Sequence, residues 1–129
     1  KLYEERMEII KHTYSDMCEV EKSISYVTSP LQYVGDQGRE QRFNETQEKI
    51  KKLEDFYKNE IYFSVETAVK FEKIIKNANR AIRPFLKDPK DISIDERTYS
   101  WDLVTKDIRE LRKSVAEDFR SMLRANGLL

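Results

Sequence analysis

The chain's one histidine sits in Glu8-x-x-x-His12-x-x-x-Asp16, and spacing of four places both carboxylates and the imidazole on one helical face. Such a trio could in outline hold a metal ion. Metal sites, however, take three or four protein ligands, and di-metal helical bundles use several Glu together with Glu-x-x-His pairs. No second histidine exists to complete one. His12 also falls off the apolar stripe of its neighbours, so a solvated imidazole is expected, and no metal or cofactor.

Nucleophiles fare no better. Cys18 follows Met17 on a largely apolar flank, where a reduced cysteine packs as a small hydrophobe. In a helix its imidazole partner, His12, would be about 240° around and ~9 Å along the axis, so the two cannot pair. None of the serines has a Gly-rich elbow around it, and three glycines are too few for a phosphate loop or a dinucleotide fingerprint. No catalytic residue can be named.

One charge pattern remains. Lys73, Lys76, Arg80, Arg83 and Lys87 recur at steps of 3, 4, 3 and 4, so the five share a face if the third helix reaches that far. This strip is the candidate site for an anionic partner: an acidic helix, an anionic membrane surface or a phosphate backbone. The alternative is a solvated face answered by carboxylates on neighbouring helices. Zero net charge (24 basic and 24 acidic residues) and the lack of arginine–aromatic interleaving argue against nucleic acid. Two further groups stand out. Tyr62, Phe63, Tyr99 and Trp101 lie near helix junctions and could line a pocket at one end of a bundle or plug its core. Glu21, which interrupts the first apolar seam, and Thr46, on the second, could form a polar layer that sets register or could equally lie at the wet edge of the seam.

These residues must be positioned by helices. Trp101, Val104, Ile108, Leu111, Val115, Phe119 and Met122 step by 3 and 4 with charged residues between them. Tyr3, Met7, Ile10, Tyr14, Met17, Ile24 and Val27 make a similar stripe that Ser29-Pro30 ends, giving a first helix about 42 Å long. Residues 30–38 read as a loop with an apolar patch at Leu31, Tyr33 and Val34. The second helix is expected from about Asp36–Arg39 to Lys58, with Phe43, Ile50, Leu53 and Tyr57 inward. The third carries Ala68, Phe71, Ile74, Ile75, Ala78 and Ile82. A break near residues 59–63 is preferred to a single bent helix over 38–83. Pro84 and Pro89 bracket the next turn, Ser93 and Glu96 have capping-box spacing before Ile94, and Ser100 is the rival start. Asn126-Gly127-Leu128 reads as a helix stop.

Few Gly and Pro and no β alternation make the expected fold all-α: one domain over residues 1–129, an up-and-down bundle of about four antiparallel helices with coiled-coil-like seams. An uncapped start at Lys1 suggests a fragment whose first helix continues upstream, in a parent that a membrane segment could tether. A single cysteine and the lack of a signal pattern slightly favour the cytoplasm. The expected function is a non-enzymatic interaction or structural module whose partner is another protein or a second copy. A ligand-sensing bundle, or anionic-partner binding through the basic face, is the alternative.

Overall fold

The computed structural model describes residues 2–29, 38–57, 63–125 and 127, and among them the fold is all-α, with four helical rods and no strand. α1 (Leu2–Thr28), α2 (Arg39–Tyr57) and α3 (Val65–Ile82) are the first three. The fourth rod covers residues 94–125 without interruption, as α4 (Ile94–Asp102), a π-helical stretch (Leu103–Ile108) and α5 (Arg109–Ala125). No helix among the described residues is long and apolar enough to cross a membrane.

Local chemistry sets most of these limits. α1 stops two residues short of Pro30. Ser64 has extended backbone (φ −65, ψ 158) and its Oγ accepts a hydrogen bond from the Thr67 amide, so it caps α3. That cap rules out one bent helix through 38–83. Ser93 and Glu96 form the predicted capping box, each side chain accepting from the other's backbone amide, and Ile94 starts the fourth rod. Gly127 takes φ 73 and its amide bonds back to the Arg124 carbonyl at 3.0 Å, as a left-handed stop requires. The predicted loop patch at Leu31, Tyr33 and Val34, the inward placement of Tyr3 and Tyr57, and the fold-back of Leu128 lie outside the described side chains.

The rods alternate in direction. Val27 at the end of α1 and Phe43 early in α2 pack with Phe85 and Ile92, from the connection between α3 and the fourth rod, closing one end. At the other end Phe63 stacks against Phe71 and Phe119, with ring centroids 5.5 and 5.6 Å apart, and Tyr14 meets Phe119 edge-on. Between the two ends runs a continuous core containing Met17, Val20, Ile24, Ile50, Leu53, Ile74, Ala78, Val104, Ile108 and Val115. α2 packs on α1 and α3, the fourth rod packs on α3 and α1, and α1 also touches α3 across the middle.

The π-helical stretch corrects the expected stripe. A π turn is wider than an α turn, so Leu103 and Val104 both face the core together with Ile108. Upstream of it the inward position is Ser100, which is fully buried, while Trp101 is only half-buried. Ser100 is thus a core residue and not a helix start.

Three outcomes follow. Phe71→Ala, which empties the middle of the aromatic end, should cost about 3–5 kcal/mol by urea denaturation. Ser93→Ala should cost about 1 kcal/mol through loss of the cap. Glu96 is held below its ordinary 4.5 by the Lys87 ammonium that bonds it, and then by the Ser93 amide. A carboxyl lowered in this way stabilises the fold above its unfolded value and stops doing so as pH falls through its folded value. The stability gap between wild type and Glu96→Gln should therefore be full above about pH 5 and close in acid.

Candidate functional site

α3 positions the basic strip. Its inner face is fixed by Phe71, Ile74, Ala78, Ala81 and Ile82, all buried. At 100° per residue the opposite, outermost line runs Val65, Val69, Lys73, Lys76, Arg80. All five are exposed, the two valines by 80% and 41%, so the outer face begins with an apolar foot and continues as a row of cations. Lys70, one step off this line, turns to the fourth rod instead: its Nζ lies 2.7 Å from Asp118 Oδ2, which also accepts from the buried Thr67 hydroxyl at 2.8 Å.

The five predicted cations do not all share one helix. α3 ends at Ile82, and Arg83 begins a 3-10 turn (Arg83–Leu86) set by Pro84. The chain then leaves the helical path, and Lys87 is drawn off the row onto Glu96 Oε2 at 2.8 Å. Lys73, Lys76, Arg80 and Arg83 remain exposed, and none of them pairs with a carboxylate among the described residues. The fourth rod is the contrast: Lys106, Arg109, Arg112, Lys113 and Arg120 are all answered by carboxylates.

At the other end of the strip from the valines, Arg80, Arg83, Pro84, Lys87, Asp95, Glu96 and Tyr99 line an open groove of about 580 Å³. Exposed Leu86 and Ile94 belong to the same connection. α2 carries the opposite sign: Glu40, Gln41, Asn44, Glu45 and Glu48 line an open depression of about 460 Å³ on its outer face.

A second polar constellation is internal. Glu21, with its side chain 10% exposed, lies between α1 and the fourth rod, where Arg109 Nε donates to Oε1 at 3.1 Å and Arg112 Nε donates to Oε2. Burial works against the charge on Arg112, but the Glu21 hydrogen bond and field, aided by the Tyr14 hydroxyl, outweigh it and raise the guanidinium above its ordinary value. Thr46, fully buried, shares a 2.6 Å hydroxyl contact with Ser23 and donates to the Arg42 carbonyl at 2.8 Å. Glu21 and Thr46 are thus both buried, but they are polar links across two different interfaces of α1 and do not form one layer.

The remaining candidates are not assembled. His12 and Glu8 are 3.8 Å apart and both 65% exposed, while Asp16 turns to Lys52 at 3.5 Å. Among the described residues no group of three or more His, Cys, Asp or Glu could hold a metal ion. Cys18 is half-buried and reduced. The aromatic group is split: Phe63 belongs to the end closed by Phe119, Tyr99 lies in the groove at the far end of α3, and Tyr62 is outside the described residues.

No family model, curated protein or solved structure matches the chain. Any functional reading therefore rests on the chain's own surface and on the charges it leaves unanswered.

Replacing Glu21 distinguishes pairing from packing. Glu21→Ala should lower stability by about 2–3 kcal/mol, because two guanidinium groups lose their acceptor in a partly dry seam. Replacing the whole set, Glu21→Leu/Arg109→Met/Arg112→Met, should cost clearly less, since apolar side chains of similar size often replace buried ion pairs without loss. Urea unfolding of the two variants checks this order.

Proposed function

We propose that this domain is a non-enzymatic interaction module that recognises an acidic partner surface through the outer face of α3. One observation carries the reading: Lys73, Lys76, Arg80 and Arg83 are exposed in one row and unanswered by any carboxylate among the described residues, while five cations of the neighbouring rod are paired. Holding like charges in a row costs repulsion, which an incoming row of carboxylates removes. The exposed Val65 and Val69 add apolar surface at one end of the row, and the Tyr99 groove adds a recess at the other. An acidic polypeptide matches this alternation of apolar and cationic surface better than a uniform phosphate lattice does.

Exposed charges of this kind set specificity and encounter rate more than affinity, so binding should be modest and salt-sensitive. Poly-L-glutamate is a suitable probe, followed through backbone amide shifts at low salt. Shifts should map to residues 65–87, and Lys76→Glu with Arg80→Glu should weaken binding by about tenfold or more. Shifts elsewhere, equal binding by the variant, or tighter salt-sensitive binding to duplex DNA or phosphatidylserine vesicles would overturn the reading.

A further inference from the structure

We infer that the acidic surface met by the α3 strip is the outer face of α2 on a second copy of this chain, in a salt-sensitive dimer whose two-fold axis runs parallel to the helices. This rests on the docking role proposed above and names its partner.

The observation behind it is that two rows of unanswered charge are opposite in sign and lie on adjacent helices. Glu40, Glu45 and Glu48 are exposed on α2, and Glu45 accepts only from the neutral Gln41 amide at 3.1 Å. None of the three pairs with a Lys or Arg among the described residues. Elsewhere on α1 and α2 the arrangement differs: Glu19 meets Lys49, and Asp16 meets Lys52. Toward one end the bundle therefore presents a face, α2 beside α3, with negative charge over residues 40–48 and positive charge over residues 73–83. Lys51 and Lys52 on α2 and Glu66 and Glu72 on α3 lie outside the two rows or flank them.

Height and length also match. Arg39 at the start of α2 donates to the Phe85 carbonyl just beyond α3 at 3.2 Å, so both charged stretches lie toward the Phe85 end of the bundle. Residues 40–48 span about 12 Å and residues 73–83 about 15 Å at the helical rise. Within one molecule the two rows point outward side by side and cannot neutralise each other. A two-fold axis set in front of this face and parallel to the helices places α3 of each copy over α2 of the other, at the same height. Each dimer then contains the complementary contact twice, and the arrangement closes without leaving a row free.

The contact is mostly charge on exposed side chains, so it must weaken steeply with salt, because screening shortens from about 30 Å at 0.01 M to about 8 Å at 0.15 M. Analytical ultracentrifugation of the whole chain tests this. Wild type should approach twice the monomer mass in about 10 mM salt and return to monomer in about 500 mM. Lys76→Glu/Arg80→Glu leaves two cations and two carboxylates in the α3 row, cancelling its charge, and Glu45→Lys/Glu48→Lys leaves two cations and one carboxylate in the α2 row, reversing its sign. Each variant alone should be monomeric in low salt, and an equimolar mixture should restore the dimer. All four side chains are exposed, and circular dichroism verifies that each variant is folded. If a double variant unfolds, Arg80→Glu and Glu48→Lys take its place.

A wild type that stays monomeric in low salt overturns the dimer, as does a mixture of folded variants that fails to associate or a variant that still dimerises alone. A monomeric wild type whose α3 amides still shift with poly-L-glutamate overturns the dimer while sparing the docking role. Absence of both overturns the two together.

Discussion

A carboxylate inside an apolar seam is stable only where cations can reach it, and Glu21 imposes that condition on the whole bundle. It lies on the buried side of α1, so the fourth rod must sit where Arg109 and Arg112 can both donate to it. Sliding the rod by one turn, about 5.4 Å, would leave only one of the two arginines within reach, so the carboxylate would lose half of its partners. Hydrophobic burial alone is indifferent to such slips, because Leu, Ile and Val stripes interdigitate in several registers. The ion pair is not needed for the rods to associate; its effect is to select one registration among them.

The other interfaces repeat this logic with weaker groups. Ser23 and Thr46 share a hydroxyl contact between α1 and α2, and Thr67 and Lys70 of α3 converge on Asp118 of α5. Asn79 of α3 donates to Glu54 of α2 at 3.2 Å. Each is worth little on its own, and the exposed ones close to nothing. Their value lies in distribution, since every pair of neighbouring rods has at least one polar link that a different alignment would break. Against that background, the cations of α3 and the carboxylates early in α2 are two places where a row of like charge has been left directed at solvent.

Much of the architecture was legible because it is local. Apolar spacing along residues 104–122 located the long C-terminal helix, and Ser93 with Glu96 identified its start. Glu21 was recognisable as an interruption, but not its partners, which are 88 and 91 residues away. Thr13 and Thr28 are buried although they lie outside the apolar spacing of α1; each donates its hydroxyl to the carbonyl four residues back and so enters the core satisfied. Grouping Phe63 with Tyr99 was an error that topology could have prevented, because consecutive connections in an alternating bundle lie at opposite ends. The strip was found by spacing, yet the kink imposed at Pro84 removed Lys87 from it, and whether its cations were answered by neighbours could not be read without coordinates.

A final consequence concerns the wide turn at Leu103–Ile108. A π turn holds one residue more than an α turn of equal advance, so it shifts helical phase by roughly 100° between the segments it joins. The fourth rod therefore behaves as two helices of different phase in one unbroken backbone. Its early part is tuned to the plug around Phe85 and Ile92, and its later part to the ring cluster around Phe119. A single extra residue lets one straight element satisfy two ends of the bundle whose inward directions do not coincide.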